Sequence, residues 1–449
     1  MSAAAAPGPD PASPGPYAAF RHRQFRLFVA MRTMANVAQL IQSVAIGWQV
    51  YDITRKPLDL GLVGLSLFLP QILLALPAGQ AADRLPRQKL ILATLAINAL
   101  SSALLLGLTL YGNQRVGPVF ATLVLFGVGR AFLGPATMAV LPAMVPREIL
   151  PSAITWNSST MQLATVLGPA LGGLLYGFGP ATVYIAVVSF LVLAMIAAWA
   201  LAPLPQRIAS GAKGWRELLG GVRFVRDHPT LFGAISLDLF AVLFGGATAL
   251  LPVFARDILM TGPFGLGLLR SAPAVGSICC ALWLAGHPLR RHAGRRMFLC
   301  VAGFGLATIV FGLSRNFYLS AAALMACGAC DMVSVYVRQT VIQLGTPDAM
   351  RGRVNAVSLV FIGASNELGE FESGLTAAWF GTVPAVVVGG LGTLTVVALW
   401  AWRFASLRRV DRLDQVYGAA PEVTGDQTGR ATAASTAPGS STGVGNASL

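Results

Sequence analysis

The stretch Gly79-Gln80-Ala81-Ala82-Asp83-Arg84-Leu85-Pro86-Arg87-Gln88-Lys89 joins two long apolar runs, 58–81 and 90–111. A helix needs about twenty apolar residues to cross the hydrocarbon core of a bilayer, and each run supplies them. The three cations between the runs have no place in lipid, so the chain turns here at a membrane surface. Loops rich in Lys and Arg face the cytosol, which gives this turn a side.

The same window recurs along the chain. Apolar runs fall at 27–51, 58–81, 90–111, 117–144, 152–176, 181–202, 230–256, 264–286, 297–313, 317–342, 354–380 and 384–405, predicting an all-α membrane protein with twelve transmembrane helices. Composition agrees. Of 449 residues, 55% are hydrophobic and 11% charged, whereas a soluble domain carries about 25% charged. Pro70, Pro77, Pro169 and Pro252 fall inside these runs, where neighbouring helices can re-satisfy the backbone groups that a kink frees.

Charge placement tests the count. Counted along alternate loops and the two ends of the chain, 22 Lys and Arg fall on one side, from Arg21 to Arg412; the other side holds Arg55, Lys56, Arg115, Arg256 and Arg315. An even number of spans puts both termini in the cytosol with the basic loops. The net charge of +14 is spread in short clusters rather than on one folded face, so no nucleic-acid partner is expected.

A polar stretch near 203–229 divides the spans into six and six. The expected organisation is a disordered tail (1–20), a six-helix half (21–202), a cytosolic linker (203–229) with an amphipathic helix at 215–225, a second six-helix half (230–405) and a largely disordered cytosolic tail (406–449). The loop after span two has a counterpart about 200 residues on, Gly286-His-Pro-Leu-Arg290-Arg291-His-Ala-Gly-Arg295-Arg296. Pro146-Arg147 after span four corresponds to Pro347-Asp348 after span ten. Repeated halves with duplicated inner loops point to a rocking transporter whose substrate site lies between them.

Gly79, Asp83, Arg84, Arg87 and Lys89 match the G-x-x-x-D-R-x-x-R-[KR] loop of the major facilitator superfamily, which the chain resembles over about residues 20–410; Gln88 dilutes the basic end. The resemblance implies that this loop is a conformational latch, in which Asp83 pairs with positive charge and caps a helix N-terminus in one state. Gly168-Pro169-Ala-Leu-Gly172-Gly173 is similar to an element of the exporter branches, implying a hinge or sealed interface; helix packing alone would use the same residues. Arg130-Ala-Phe-Leu-Gly134-Pro-Ala136 resembles the R-x-x-x-G-x-A element of proton-coupled antiporters, with Leu133 in place of the usual Gln. Segments Asp238–Pro252 and Ile362–Gly374, with Arg351-Gly-Arg353-Val-Asn355, resemble the bacterial siderophore exporters of the enterobactin type. That likeness implies an inner-membrane exporter of a siderophore-like or other amphipathic small molecule, by proton antiport. Multidrug or macrolide efflux is the alternative within transport, and a non-transporting receptor the alternative outside it.

Ionisable groups inside spans are costly in lipid and mark function by default. Arg130, Asp238, Asp331, Glu367 and Glu370 are the candidates for proton coupling or for the substrate cavity, with plain structural pairing the open alternative. Glu367 and Glu370 lie about 60° apart on one helix face and Glu372 points away from both. Asp331 and Arg338, seven residues apart, are too distant for a direct pair. Asn36, Gln39, Gln42 and Asn366 are the candidate polar cavity residues, with Gln49 on the same span as the first three. Trp48, Trp156, Trp283 and Trp400 read as interface or packing aromatics. Cys327 and Cys330 have CxxC spacing inside a span with no histidine nearby, so they read as small packing residues. No P-loop, HExxH or nucleophile elbow is present. No enzyme activity, catalytic residue, metal or cofactor is expected, the partners are the bilayer and a small molecule, and a monomer is the simplest assembly.

Overall fold

The computed structural model describes residues 17–138, 140–202, 215–287, 289 and 291–411. Twelve long helical segments follow one another: α1 Arg23–Thr54, α2 Pro57–Arg84, α3 Arg87–Leu110, α4 Val116–Met138, α5 Leu150–Gly177, α6 Pro180–Trp199, α7 Pro229–Ile258, α8 Gly262–Gly286, α9 Ala293–Leu313, α10 Phe317–Gly345, α11 Asp348–Phe380 and α12 Thr382–Arg403. Each coincides with one expected span. Among the described residues, nine of these are long and apolar enough to cross a membrane by composition alone. The three that fall short are α1, α5 and α11. They carry Arg32, Asn36 and Gln39, then Asn157 and Gln162, then Asn366, Glu367 and Glu370, and all of these but Asn157 line the cavities below.

Within the first six helices α1 packs on α5 and α6, and α2 and α3 pack on α4; within the last six α8 and α9 pack on α10, and α7 on α11 and α12. The two sets meet along α2–α11 and α5–α8. Glycine makes both seams possible. A Cβ on Gly374 would stand 2.8 Å from Gly61 Cα, and one on Gly173 would stand 2.8 Å from Gly267 Cα. Without side chains there, the backbones touch, as small residues allow in lipid. Ser271 Oγ adds a hydrogen bond to Val166 O across the second seam (2.7 Å).

These contacts lie within about two turns of one end of the bundle, the end away from the chain termini, here called the far end. One apolar core runs through α1–α6 and continues into the far ends of the last six helices, through Leu250, Phe254, Leu266, Phe311 and Val386. A separate core around Met297, Val337, Val354 and Leu407 fills the terminal end of the last six. The two sets are thus welded at the far end, while at the terminal end the second set has its own core.

α7 is not uniform. It breaks at Gly246, continues as a 3₁₀ turn Ala247–Leu250 and ends in a π turn Phe254–Ile258. The amphipathic helix spans Trp215–Asp227, longer than the expected 215–225, and lies on α11, where a Cβ on Gly221 would meet Arg353 O at 2.9 Å. Its strongly one-sided composition suits a helix lying along a surface.

Two boundaries are corrected. The segment expected to be a tail over 1–20 is structured at its end: Ala18–Arg21 forms a 3₁₀ turn, Ala19 is fully buried, and the Phe20 ring stands 5.1 Å from Trp156. Order also extends beyond 405. Leu407 is fully buried, the Gly294 N–H donates to Val410 O (3.0 Å) and the His292 N–H to Asp411 Oδ1 (2.9 Å), because the last residues satisfy the open N-terminus of α9. The remainder of both tails, the linker residues 203–214 and Arg290 lie outside the described residues.

Candidate functional site

A cavity of about 1510 Å³, open mouth included, lies between the two sets of helices. Leu40 of α1 and Gln162, Thr165 and Pro169 of α5 form one wall. The opposite wall holds the broken stretch Gly245–Thr248 of α7, Arg270 of α8, Asp331 of α10, and Asn366, Glu367 and Glu370 of α11. The helix break falls at the cavity wall, where non-helical backbone is tolerated at membrane depth, and Ser373 Oγ of α11 donates to Gly246 O (3.1 Å).

Charge crosses this cavity. Glu367 Oε1 lies 3.7 Å from Arg130 Nη2, tying α11 to α4; their side chains are only 17% and 22% exposed. Glu370 Oε1 lies 4.0 Å from Arg270 Nη2 of α8. With its amide oxygen turned to the guanidinium, Gln39 accepts from Arg130 Nε (3.0 Å) and Nη2 (3.2 Å). The separation expected on the α11 face holds: Glu367 and Glu370 share the cavity, while Glu372 turns aside and accepts from Thr376 Oγ1 (2.7 Å). Arg270 was passed over in the sequence because a single cation in an apolar run carries no motif. Its spacing to nothing nearby gave no signal.

A second cavity, about 720 Å³ with its mouth, lies inside the first set and is lined by Arg32, Asn36 and Gln39 of α1, Gln71 of α2, and Arg130 and Thr137 of α4. Asn36 and Gln39 therefore line a pocket, but one inside the first set rather than the cavity between the two sets. Gln42 does not. It is fully buried and accepts from Ser102 Oγ (2.6 Å), because its position on α1 faces α3 rather than a cavity. Gln49 is likewise spent on packing, donating to Thr109 Oγ1 (2.9 Å) and accepting from Tyr184 Oη (2.5 Å).

Asp238 and Arg338 form an ion pair joining α7 to α10, with side chains 7% and 4% exposed. The pair lies within the last six helices, so Asp238 ties α7 to α10 and does not reach across to the first set. Asp331 faces both the large cavity and a small recess beside Asp238. Among the described residues no cation lies within ion-pair distance of Asp331, and Arg338, seven residues on, is committed to Asp238. Gly168, Gly172 and Gly173 are packing points. A Cβ on Gly172 would stand 2.9 Å from Ile41 O, and Gly173 makes the seam with α8.

The far end carries a cluster that the sequence reading counted only as loop charge. Asp52 pairs with Arg256, Asp257 accepts from the Tyr51 hydroxyl, Asp257 Oδ1 lies 3.7 Å from Arg55 Nη1, and Arg55 Nη2 lies 3.9 Å from Asp52 Oδ1. The Arg256 guanidinium also sits 5.4 Å from the Trp48 ring centroid, so Trp48 is more than a packing aromatic. The cluster closes the end of α1 on the π turn of α7. Its only signal in sequence was opposite charge at the ends of spans one and seven.

At the terminal end, the last turn of α2 carries Asp83, which has no hydrogen bond or ion pair to a described residue, and no side chain caps the start of α3. A Cβ on Gly79 would meet nothing within 4 Å. Gln88, which departs from the superfamily pattern, has a role of its own. Its Nε2 donates to Ala198 O (3.1 Å), Trp199 O (3.0 Å) and Leu201 O (2.7 Å), satisfying the open carbonyls at the end of α6.

Residues 14–424 match the family model described as transmembrane secretion effector. The chain belongs to that family. It is a secondary transporter of the major facilitator type and not an enzyme. Among curated proteins it is similar to the enterobactin exporter EntS of Shigella boydii serotype 18, 27% identical over 405 residues covering 86% of this chain and 93% of the relative. To the EntS of Citrobacter koseri it is 27% identical over 417 residues, covering 89% and 96%. Among solved structures, it shares its fold with a bacterial homolog of the human lysosomal transporter Spinster, TM-score 0.67 at 13% identity, covering 88% of this chain and 96% of that one. The nucleoside transporter NupG aligns with a TM-score of 0.60 at 13% identity, covering 85% and 99%.

Proposed function

We propose that this transporter exports a siderophore-like or other amphipathic small molecule across the bacterial inner membrane by alternating access and proton antiport. The observation that carries the reading is the Arg130–Glu367 pair. It is a charge pair inside the membrane that, unlike Asp238–Arg338, ties the two sets of helices to each other, so the costly charges stand where the sets would have to part. If the termini are cytosolic, as the basic loops imply, the weld at the far end supports a conformation closed to the periplasm, the state that would load cargo for export. Asp83, at the end of α2, would take its latching partner when the cytosolic side closes. Glu367, Glu370 and Asp331 are the groups for the proton, since each faces the cavity.

The test is accumulation of enterobactin, the cargo in the relatives' name, in inside-out vesicles with an acidic lumen. Uptake that collapses when a protonophore is added supports the reading. Transport in the opposite sense, or uptake indifferent to the pH gradient, refutes it. The apolar part of the cavity, Val242, Phe304, Phe311 and Leu324, favours a second reading as a multidrug efflux pump. That reading wins if neutral drugs are accumulated and enterobactin is not.

A further inference from the structure

We propose that the pocket between α1, α2 and α4 is an oxyanion subsite. It would take an acidic head of the cargo, a carboxylate or similar oxyanion, between Arg32 and Arg130, and this anion would displace Glu367 from Arg130. The proposal rests on the exporter reading and names a chemical class for what is moved.

Arg32, Asn36 and Gln39 stand at positions i, i+4 and i+7 and so share one stripe of α1 within about 60°. All three line the pocket with Arg130. Among the described residues Arg32 and Asn36 have no hydrogen-bond or ion-pair partner, and no Asp or Glu lines this pocket. A guanidinium on a membrane helix is expensive without a counter-charge. Among the described residues Arg32 has no counter-charge, Arg130 has Glu367 alone, at 3.7 Å, and the space the two arginines share is otherwise lined by amides, a hydroxyl and apolar side chains. Planar guanidinium forks are suited to bidentate capture of carboxylate or phosphate oxygens.

The neighbouring cavity has the opposite character: Asp331, Glu367 and Glu370 against Arg270. An anion entering between the helices is therefore drawn to the α1–α4 wall and repelled from the α10–α11 wall. Arg130 stands at the boundary. Its Nε and Nη2 are already hydrogen-bonded to Gln39, and its approach to Glu367, at 3.7 Å, exceeds a hydrogen bond. A carboxylate held by Arg32 and Arg130 together offers closer geometry than Glu367 does. Binding would then undo a tie between the two sets of helices, linking occupancy of the pocket to their movement without contact between cargo and α11.

The test is equilibrium binding to the purified full-length protein in zwitterionic nanodiscs, with benzoate as the acidic probe and benzamide as its neutral counterpart of the same shape. The expected result is at least tenfold tighter binding of the acid. Arg32→Gln reduces that preference to within twofold, and Arg32→Lys restores part of it. Glu367→Gln tightens the acid three- to tenfold and leaves the amide unchanged, a gain that misfolding cannot produce. Equal binding of acid and amide, an undiminished preference in Arg32→Gln, or weaker acid binding in Glu367→Gln overturns the proposal. So does loss of acid binding when the nanodiscs contain phosphatidylglycerol, which would assign the arginines to a lipid headgroup. Acid preference without efflux in vesicles would sink the exporter reading and keep the subsite; efflux of enterobactin without acid preference would do the reverse.

Discussion

Neutralising Arg256 should open the far end of the bundle. Arg256 is the hub of the far-end cluster: it pairs with Asp52 and covers the Trp48 ring. A partly exposed ion pair contributes about 0.2–1 kcal/mol, and a cation over an indole about 0.5–1 kcal/mol at such a site. Arg256→Gln removes both, while Asp257 keeps its Tyr51 and Arg55 partners. The conformational equilibrium should then move by about 0.7–2 kcal/mol, roughly a three- to thirty-fold rise in the far-end-open population. Gly47 and Pro252 face one another behind the cluster, a Cβ on Gly47 standing 3.3 Å from Pro252 Cγ. A cysteine at Gly47 in a background without the five native cysteines therefore reports opening through its rate of labelling by an impermeant maleimide. The rate should rise by that factor in Arg256→Gln. The charge swap Asp52→Arg with Arg256→Asp should recover at least half of the closure. An unchanged rate in the single variant, or a swap as open as the sum of its parts, would show that the cluster does not hold the end shut.

Three further outcomes follow from the geometry. Arg338→Met leaves Asp238 buried without its partner and should cost about 3–5 kcal/mol, seen as a lowered thermal midpoint, whereas Asp238→Leu with Arg338→Met should recover most of it. Gly173→Ala forces a methyl against Gly267 Cα at 2.8 Å, an overpacking of about 1–3 kcal/mol that should part the α5–α8 seam and raise far-end labelling; the same change at Gly79, in open space, should do neither. Glu367→Gln should keep the fold, by gel filtration and thermal midpoint, but abolish accumulation driven by a pH gradient, leaving only downhill movement of cargo; retention of driven accumulation would move the coupling role to Asp331 or Glu370.

What the sequence determined by itself was the succession of spans. Apolar run length and the distribution of Arg and Lys are local quantities, and the bilayer imposes a fixed thickness on them, so all twelve helices were legible, including the three too polar to pass on composition. The Glu367 and Glu370 face was legible for the same reason, since helical periodicity fixes which neighbours in sequence share a side. Pairing across helices was not. Asp238 finds Arg338, Glu370 finds Arg270 and Asp52 finds Arg256 over separations of 100 residues or more, and each was hidden because a lone charge in an apolar run has many geometrically allowed partners. Gln42 and Gln39 differ by less than one helical turn, yet one is sealed against Ser102 and the other holds Arg130. Only the packing of α3 and α4 around α1 decides between them. The chain thus specifies its spans through the solvent it must satisfy, while its charges acquire partners only when the helices meet.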